Sequence, residues 1–435
     1  MKSGIRVLFI NHSVRWGGPG KSLFYILKYI DKAKIMPLVL IPKEEVFSER
    51  LREEGIEAQI IVEKKFPENL LRPRFSLSDT NSGTWLRRVS TILSVTLNVF
   101  DLFLLFLGSP FWLRKRKVGV IYCNGTVAKI VGAVIGTFNL FPVIWHVRNI
   151  QQTKALRFTM NFLSLSPAVK KIICVSNATA GQFRFASGKI SVIYNGIDTD
   201  EFNPQKTAGL LKVEYSLPEG TVVVGSTGRV VPRKGYEHFI QAALTVRNKL
   251  GAGEGGKVKF VLVGDTPYYF RDNHLNYLKS LVKELNLEDM FILAGHKDDV
   301  KPYLRDFDVF VIPSNYPDPF PRVVIEAMSF AIPVVGYGIG GIQEAIEHGV
   351  TGFLNEPGNI EQMADSIISL IGDRSLRLSM GLAGRERVIK NFSAEAKTKE
   401  VEEKILEVRS QKSGVIFSSG FCLLTSVFFF IFSSP

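Results

Sequence analysis

Two cations and two carboxylates in the second half of the chain have the types and spacing to handle a phosphorylated ligand. In Gly228-Arg-Val-Val-Pro-Arg-Lys-Gly235, Arg229 and Lys234 sit on a loop directly after the apolar run Thr221–Ser226. If the loop folds back, a planar guanidinium fork and a point charge can flank one diphosphate. Further on, the run Val309–Ile312 ends in Pro313-Ser-Asn-Tyr-Pro-Asp-Pro-Phe-Pro321, after which a helix is expected. The start of that helix turns backbone N–H groups near Arg322 and Val323 toward any anion. Glu326, about one turn further in, could accept hydrogen bonds from both hydroxyls of a ribose. Gly340-Gly341, after the run Pro333–Val335, could present bare backbone amides. Each feature also has an ordinary reading. Asp318-Pro319 makes a helix N-cap with proline at the first helical position. Glu326 alone fits a solvated helix face, and two loop cations alone are common surface charge.

The first half offers less. Ile5–Asn11 leads into Gly17-Gly-Pro-Gly-Lys-Ser22 and an apolar helix, an arrangement that lets a phosphate or sugar approach the backbone. Lys21-Ser22 invites comparison with a nucleotide-binding P-loop, but that motif needs glycine where Arg15 stands, so ATP or GTP hydrolysis is not expected. A plain surface turn is the rival reading of Gly17 and Gly18.

These loops need strands and helices to hold them. Short β-branched or apolar runs alternate with helical stretches from end to end, which predicts parallel, doubly wound sheets. In the first half the runs are Ile5–Asn11, Pro37–Pro42, Val118–Cys123, Val143–His146, Lys171–Val175 and Ser191–Tyr194. A turn-rich stretch, Asn195–Pro204, marks the interdomain linker. The pattern restarts with Thr221–Ser226, a helix over Tyr236–Lys249, and runs at Lys259–Val263, Phe291–Leu293, Val309–Ile312, Pro333–Val335 and Gly352–Leu354. The expected organisation is domain 1–203 with an apolar and basic insertion at 87–117, domain 204–392, a helix within 393–412 that packs back on the first domain, and an uncharged apolar tail at 413–435. The tail is long enough to anchor the chain in a membrane. Within the insertion, Asp101 and Pro110 argue against a span. A helix lying in the membrane interface, with Arg114–Lys117 on anionic headgroups, fits better than crossing, and a buried helix of the first domain is the alternative.

The bulk numbers agree with two domains: 435 residues, 46% hydrophobic and 22% charged. A formal charge of +13 calls for an anionic partner. Nucleic acid is disfavoured, because no finger, basic heptad or RRM-type signature accompanies the charge. Cys123, Cys174 and Cys422 are too scattered for a disulfide framework or a zinc site, so a reduced, cytoplasmic setting is expected. The triplets starting at Asn11, Asn124 and Asn177 are then chance matches to a glycosylation signal. No acidic pair stands in a loop suited to a metal, so neither metal nor cofactor is expected.

Taken in order, these elements resemble glycosyltransferase family 4, the "group 1" enzymes of the GT-B class. The pieces are Gly17-Gly18, His146 at a strand end, Lys189–Asp198, Gly228-Arg229 with Lys234-Gly235, Val263-Gly-Asp265, Gly295-His296, Asp308–Ser314, Asp318–Glu326 with Ala327-Met328, Pro333-Val-Val335, Gly340-Gly341 with Glu344, and Thr351–Leu354. The likeness is dense from about Lys189 to Ile371 and sparse before. It implies two Rossmann-like domains facing a central cleft, and transfer of a sugar, with retention, from a nucleotide-diphosphate sugar to a lipid-linked, glycan or other cell-envelope acceptor at the inner face of the membrane. It also implies roles. Arg229, Lys234 and the amides near Arg322 and Val323 bind the diphosphate, and Phe320, Pro321, Gly340 and Gly341 complete that pocket. Glu326 holds the ribose, Asp318 and His146 meet the donor sugar, and Gly17-Gly18 line the opposite side. The sequence departs from the family where Asp318 replaces a glutamate, Pro319 and Pro321 replace glycines, and Ala331 stands where glycine is commoner. Those changes bear on sugar preference. Two other functions share the fold: a sugar-nucleotide epimerase or phosphorylase-like enzyme, and a non-catalytic membrane subunit of a polysaccharide assembly.

Overall fold

A computed structural model describes residues 4–12, 16–66, 84–255, 257–267 and 273–410. The apolar tail at 413–435 lies outside the described residues. The chain divides into two compact units, one holding Met1–Tyr194 together with the chain from Lys397 onward, the other Asn195–Ala396.

The first unit is built on a seven-stranded sheet, in the order β3-β2-β1-β4-β5-β6-β7. Its strands are β1 (Ile5–Asn11), β2 (Ile35–Ile41), β3 (Gln59–Val62), β4 (Val118–Asn124), β5 (Val143–Val147), β6 (Val169–Cys174) and β7 (Ile190–Val192). Every neighbouring pair is parallel. A parallel strand buried on both faces reads as a continuous apolar run, which is why β1, β4 and β5 are plain in the sequence. The short edge strand β3, half exposed, carries only the three-residue run Ile60–Val62 and has no counterpart in the sequence reading. The strand order reverses between β1 and β4. Such a switch point opens a crevice at the carboxyl ends of the two strands, where ligands of this architecture bind.

The second unit repeats the plan with a six-stranded parallel sheet, β10-β9-β8-β11-β12-β13. Here β8 is Val222–Thr227, β9 Val258–Val263, β10 Phe291–Gly295, β11 Val309–Ile312, β12 Val334–Tyr337 and β13 Gly352–Asn355. Its switch point falls between β8 and β11. The turn-rich stretch after Tyr194 is stitched into this unit: Ile197 N–H donates to Phe392 O (2.8 Å) and Ala394 N–H to Ile197 O (2.8 Å). The helix Ala394–Ser410 places Val401, Ile405 and Val408 in buried positions. Its Glu407 pairs with Lys171 of β6 at 3.4 Å, and Glu402 accepts from the Asp31 amide.

The apolar insertion forms one long helix, Thr84–Lys115. Pro110 does not break it. Proline removes the N–H that would reach the carbonyl of Phe106, and the Ser109 hydroxyl supplies that carbonyl with a donor instead (2.7 Å). The helix is apolar on both sides: Leu113 is buried, and Leu102, Leu105 and Trp112 pack against the core of the unit. Ser94 and Asn98 are buried at 0% and 2% exposure, whereas Ile92 and Phe111 stand 67% and 73% exposed, with Phe103 and Leu107 on the same outer side. Between the helix and the sheet lies an apolar cavity of about 170 Å³, lined by Leu8, Ile10, Leu40, Trp112, Leu113 and Ile135 among others.

Candidate active site

In the second unit, three loops leave the carboxyl ends of β8, β11 and β12 and pack backbone to backbone. Gly235 has φ +66°, and a β-carbon there would stand 2.2 Å from Pro313 O, so the cation loop can seat against the β11 loop only with glycine at that corner. Ser314 Oγ donates to Arg233 O (3.2 Å), which ties the same two loops. The glycine pair after β12 is held by the proline-framed loop: Gly341 N–H donates to Asp318 O (2.7 Å), and a β-carbon on Gly340 would come 2.6 Å from that oxygen. Packing alone therefore accounts for glycine at 340 and 341.

This arrangement brings Lys234 and Asp318 together, their Nζ and Oδ2 atoms 2.6 Å apart and both side chains largely buried. Arg229 is exposed on the same loop as Lys234. The helix begins at Arg322, where the end of the loop at Pro321 puts it, with Pro321 as its N-cap and no side chain capping it. The N-cap reading of Asp318 is thus overturned: the chain bends at Pro319 and Phe320 before an extended Pro321, and the carboxylate turns to Lys234. Glu326 is buried rather than on a solvated face, 3.6 Å from Arg322 Nε across one helical turn. Arg322 also donates through Nη1 to Gly196 O (2.8 Å), while Val323 stays partly exposed. Phe320 turns its ring away from the loop surface onto Phe392, with centroids 5.3 Å apart, and its carbonyl accepts from Asn195 (3.2 Å).

One residue at this switch point escaped the sequence reading. Thr227 closes β8, is buried, and its hydroxyl finds no hydrogen-bond partner among the described residues. Leaving such a group unpaired is costly, which marks a place for a ligand atom or a water.

In the first unit, buried polar side chains collect at the carboxyl ends of β1, β4 and β5. Asn124 Nδ2 donates to Asn11 Oδ1 (3.0 Å) and to Pro19 O (3.2 Å) at the start of the helix Gly18–Tyr29. Arg148 donates through Nε to Asn124 Oδ1 (2.8 Å) and through Nη2 to His146 Nδ1 (3.1 Å). The Tyr122 hydroxyl meets the same ring nitrogen, and His146 Nε2 has no partner among the described residues. Burial, then the charges of Arg148 and Lys129, hold the His146 pKa well below the usual histidine range. Lys129, fully buried, is pulled down to about 8, chiefly by burial. Gly17 and Gly18 border this cluster, and a β-carbon on either would meet nothing within 4 Å. Their lack of side chains is not required by packing within the fold.

Asn11, Asn124, Arg148 and Tyr122 were missed as site residues. The available signal was a polar residue closing an apolar strand, as in IRVLFIN, VGVIYCN and VVVGST. Asn11 and Asn124 are buried, so their triplets cannot carry a glycan. The described residues hold no group of three or more His, Cys, Asp or Glu able to bind a metal.

Two doubly wound units with polar residues gathered at their switch points are the plan of the GT-B class, and comparison with known proteins agrees. The model "Glycosyl transferases group 1" matches residues 210–387 and "Glycosyltransferase Family 4" matches residues 45–201, between them well over half of the chain. The chain belongs to the family 4, group 1 glycosyltransferases. It is 31% identical over 228 residues to N-acetyl-alpha-D-glucosaminyl L-malate synthase of Bacillus anthracis, covering 52% of this chain and 56% of that protein. Over 309 residues it is 24% identical to UDP-Gal:alpha-D-GlcNAc-diphosphoundecaprenol alpha-1,3-galactosyltransferase of Escherichia coli, covering 68% and 77%. Among solved structures, Anabaena HepE in complex with UDP-glucose superposes with a TM-score of 0.72 at 22% identity, covering 93% of this chain and all of that one, a likeness of fold.

Proposed function

We propose that the chain transfers a sugar, with retention and without a metal ion, from a nucleoside-diphosphate sugar to a lipid-linked or glycan acceptor of the cell envelope. The observation that carries this reading is the convergence at the β8/β11 switch point of Arg229, Lys234, Asp318 and a helix start that no side chain caps. The difficult event is departure of the diphosphate from a sugar carbon that becomes oxocarbenium-like. Fixed cations and helix-end amides stabilise the charge building on the leaving oxygen, usually the largest catalytic contribution. Lys234 has three N–H donors, so it can keep Asp318 and still reach a phosphate. In this reading Asp318 meets the donor sugar and Glu326 the ribose, while His146, Gly17 and Gly18 serve the sugar and acceptor side. Relatives support the substrate classes by what they are named for: UDP-Gal and a diphosphoundecaprenol acceptor in one, GDP-mannose and a phosphatidylinositol monomannoside in another.

The acceptor reading is linked to the exposed apolar stripe of the long helix. Ile92–Lys115 is, by length and composition, apolar enough to cross a membrane. Its outer apolar stripe and the basic residues at its end fit a helix lying in the interface of an anionic, cytoplasmic-side membrane surface. Arg116 sits over the Trp112 ring at 4.3 Å, an amphipathic pair suited to that depth.

The test is a screen of purified protein against UDP-, GDP- and ADP-sugars with excess chelator present. Slow hydrolysis of one donor without acceptor, unaffected by the chelator, is the expected result. Turnover that vanishes with chelator would refute metal independence. Failure to bind or turn over any donor would refute the transferase reading in favour of a non-catalytic subunit.

A further inference from the structure

His146 has two ring nitrogens, and which one carries the proton decides what it can do for a ligand. Arg148 answers the question, because a guanidinium only donates hydrogen bonds. Its Nη2 stands 3.1 Å from His146 Nδ1, so Nδ1 must present its lone pair. The Tyr122 hydroxyl approaches the same nitrogen and, as a donor, fits the same state. The proton of a neutral ring then lies on Nε2, the buried atom with no partner among the described residues. We infer that Arg148 and Tyr122 are positioning residues that hold His146 as the neutral tautomer with its proton on Nε2, so that it serves a bound sugar as a hydrogen-bond donor and not as a base.

Arg148 cannot easily turn away. Its Nε is held by Asn124 Oδ1, and since arginine only donates, the Asn124 amide must point its nitrogen at Asn11 Oδ1 and Pro19 O, as it does. A line of hydrogen bonds thus runs from the start of the helix after Gly17 to the histidine. The charged groups acting on the ring are Arg148, from the end of β5, and Lys129, from the helix Thr126–Asn139; Tyr122 faces it from β4. Both charges are positive and both disfavour a second ring proton. A hydroxyl on the ligand must then accept from Nε2–H and donate elsewhere, which makes this contact selective for a correctly placed sugar oxygen. The sugar contact rests on the function proposed above. The tautomer does not.

Nitrogen-detected NMR of protein labelled with ¹⁵N-histidine reads the tautomer directly, with His146 assigned by its loss in His146→Gln. The expected pattern is a protonated Nε2 and an unprotonated Nδ1 that do not titrate between pH 5 and 9. Arg148→Met should give mixed tautomers or a ring that titrates in this range. It should also lower kcat by about tenfold, the loss of roughly one hydrogen bond, with nucleoside diphosphate affinity unchanged. Arg148→Lys should restore most of both. A wild-type ring protonated on Nδ1, or cationic near neutrality, would overturn the inference. An unaltered pattern in Arg148→Met would remove Arg148 from the role. If that variant does not fold, the wild-type spectrum and that of Tyr122→Phe, expected to keep the pattern through Arg148, still decide the tautomer. Full activity in His146→Gln would refute the sugar contact while leaving the tautomer standing.

Discussion

At the scale of single residues, the Lys234–Asp318 pair changes what mutation can reveal. Removing one partner of a largely buried pair strands the other charge, so Lys234→Ala and Asp318→Asn should each cost stability as well as activity. Arg229, exposed and not a member of that pair, is a second test of diphosphate binding: Arg229→Ala should lower turnover about 10²-fold in the donor assay, as loss of one such donor does elsewhere. Lys234→Ala should lower turnover at least as much. A double-mutant cycle of Lys234→Ala with Asp318→Asn, measured by thermal unfolding, should show a coupling between the sites; strictly additive losses would mean the pair is not formed in solution. Ala331 offers a separate stability test. It closes the helix Arg322–Ser329 with φ +58°, where the Ile332 N–H reaches back to Ala327 O. That conformation costs a β-carbon about 1–2 kcal/mol. Glycine's extra freedom in the unfolded chain takes back about 0.4–1 kcal/mol. Ala331→Gly should therefore stabilise by about 0.5–1 kcal/mol at unchanged donor preference, read by denaturant unfolding; destabilisation would mean the methyl group is needed in packing.

At the scale of elements, the helix Thr84–Lys115 departs furthest from the usual rule. A helix of a water-soluble domain puts its apolar stripe inward and a polar face outward, and this one, with Leu113 buried, shows phenylalanine and leucine on its outer side as well. Replacing Arg114, Lys115, Arg116 and Lys117 with glutamine should weaken binding to anionic liposomes severalfold or more, since each basic residue near such a surface is worth about 1 kcal/mol. Neutral liposomes should show no such difference. Binding unchanged on both would leave the exposed stripe without a lipid partner. The loops after β8, β11 and β12 show the opposite economy. Gly235, Gly340 and Gly341 are explained by close backbone approach, whereas Gly17 and Gly18 have open space where a β-carbon would be.

At the scale of the whole molecule, the buried Lys129 links stability to pH. Its pKa in the fold, about 8, lies below the ordinary lysine value, chiefly because burial disfavours the charge. Between these two values the unfolded chain binds a proton that the native one does not, so stability should rise with pH from about 8 toward 10.5 and carry its full penalty below 8. Lys129→Met should remove that penalty, on the order of 3 kcal/mol at neutral pH, and flatten the rise. A parallel rise in the variant would assign the effect to other groups, Lys189 with its similar pKa being the first candidate.

The sequence by itself determined the family, the doubly wound plan and most strand positions, because a strand buried on both faces must be written as an unbroken apolar run. It located the cation loop, the proline-framed loop and Glu326, because a loop that binds an anion must carry its own charge and turn residues. It could not show that Asp318 pairs with Lys234, since the two are 84 residues apart and meet only when β8 and β11 become neighbours. Nor could it show Tyr122, Asn124 and Arg148 converging on His146. Each is an ordinary polar residue at the end of an apolar run, and parallel strand order alone brings those ends together. The long helix was legible as apolar, and which side faces outward was decided by the sheet it packs on.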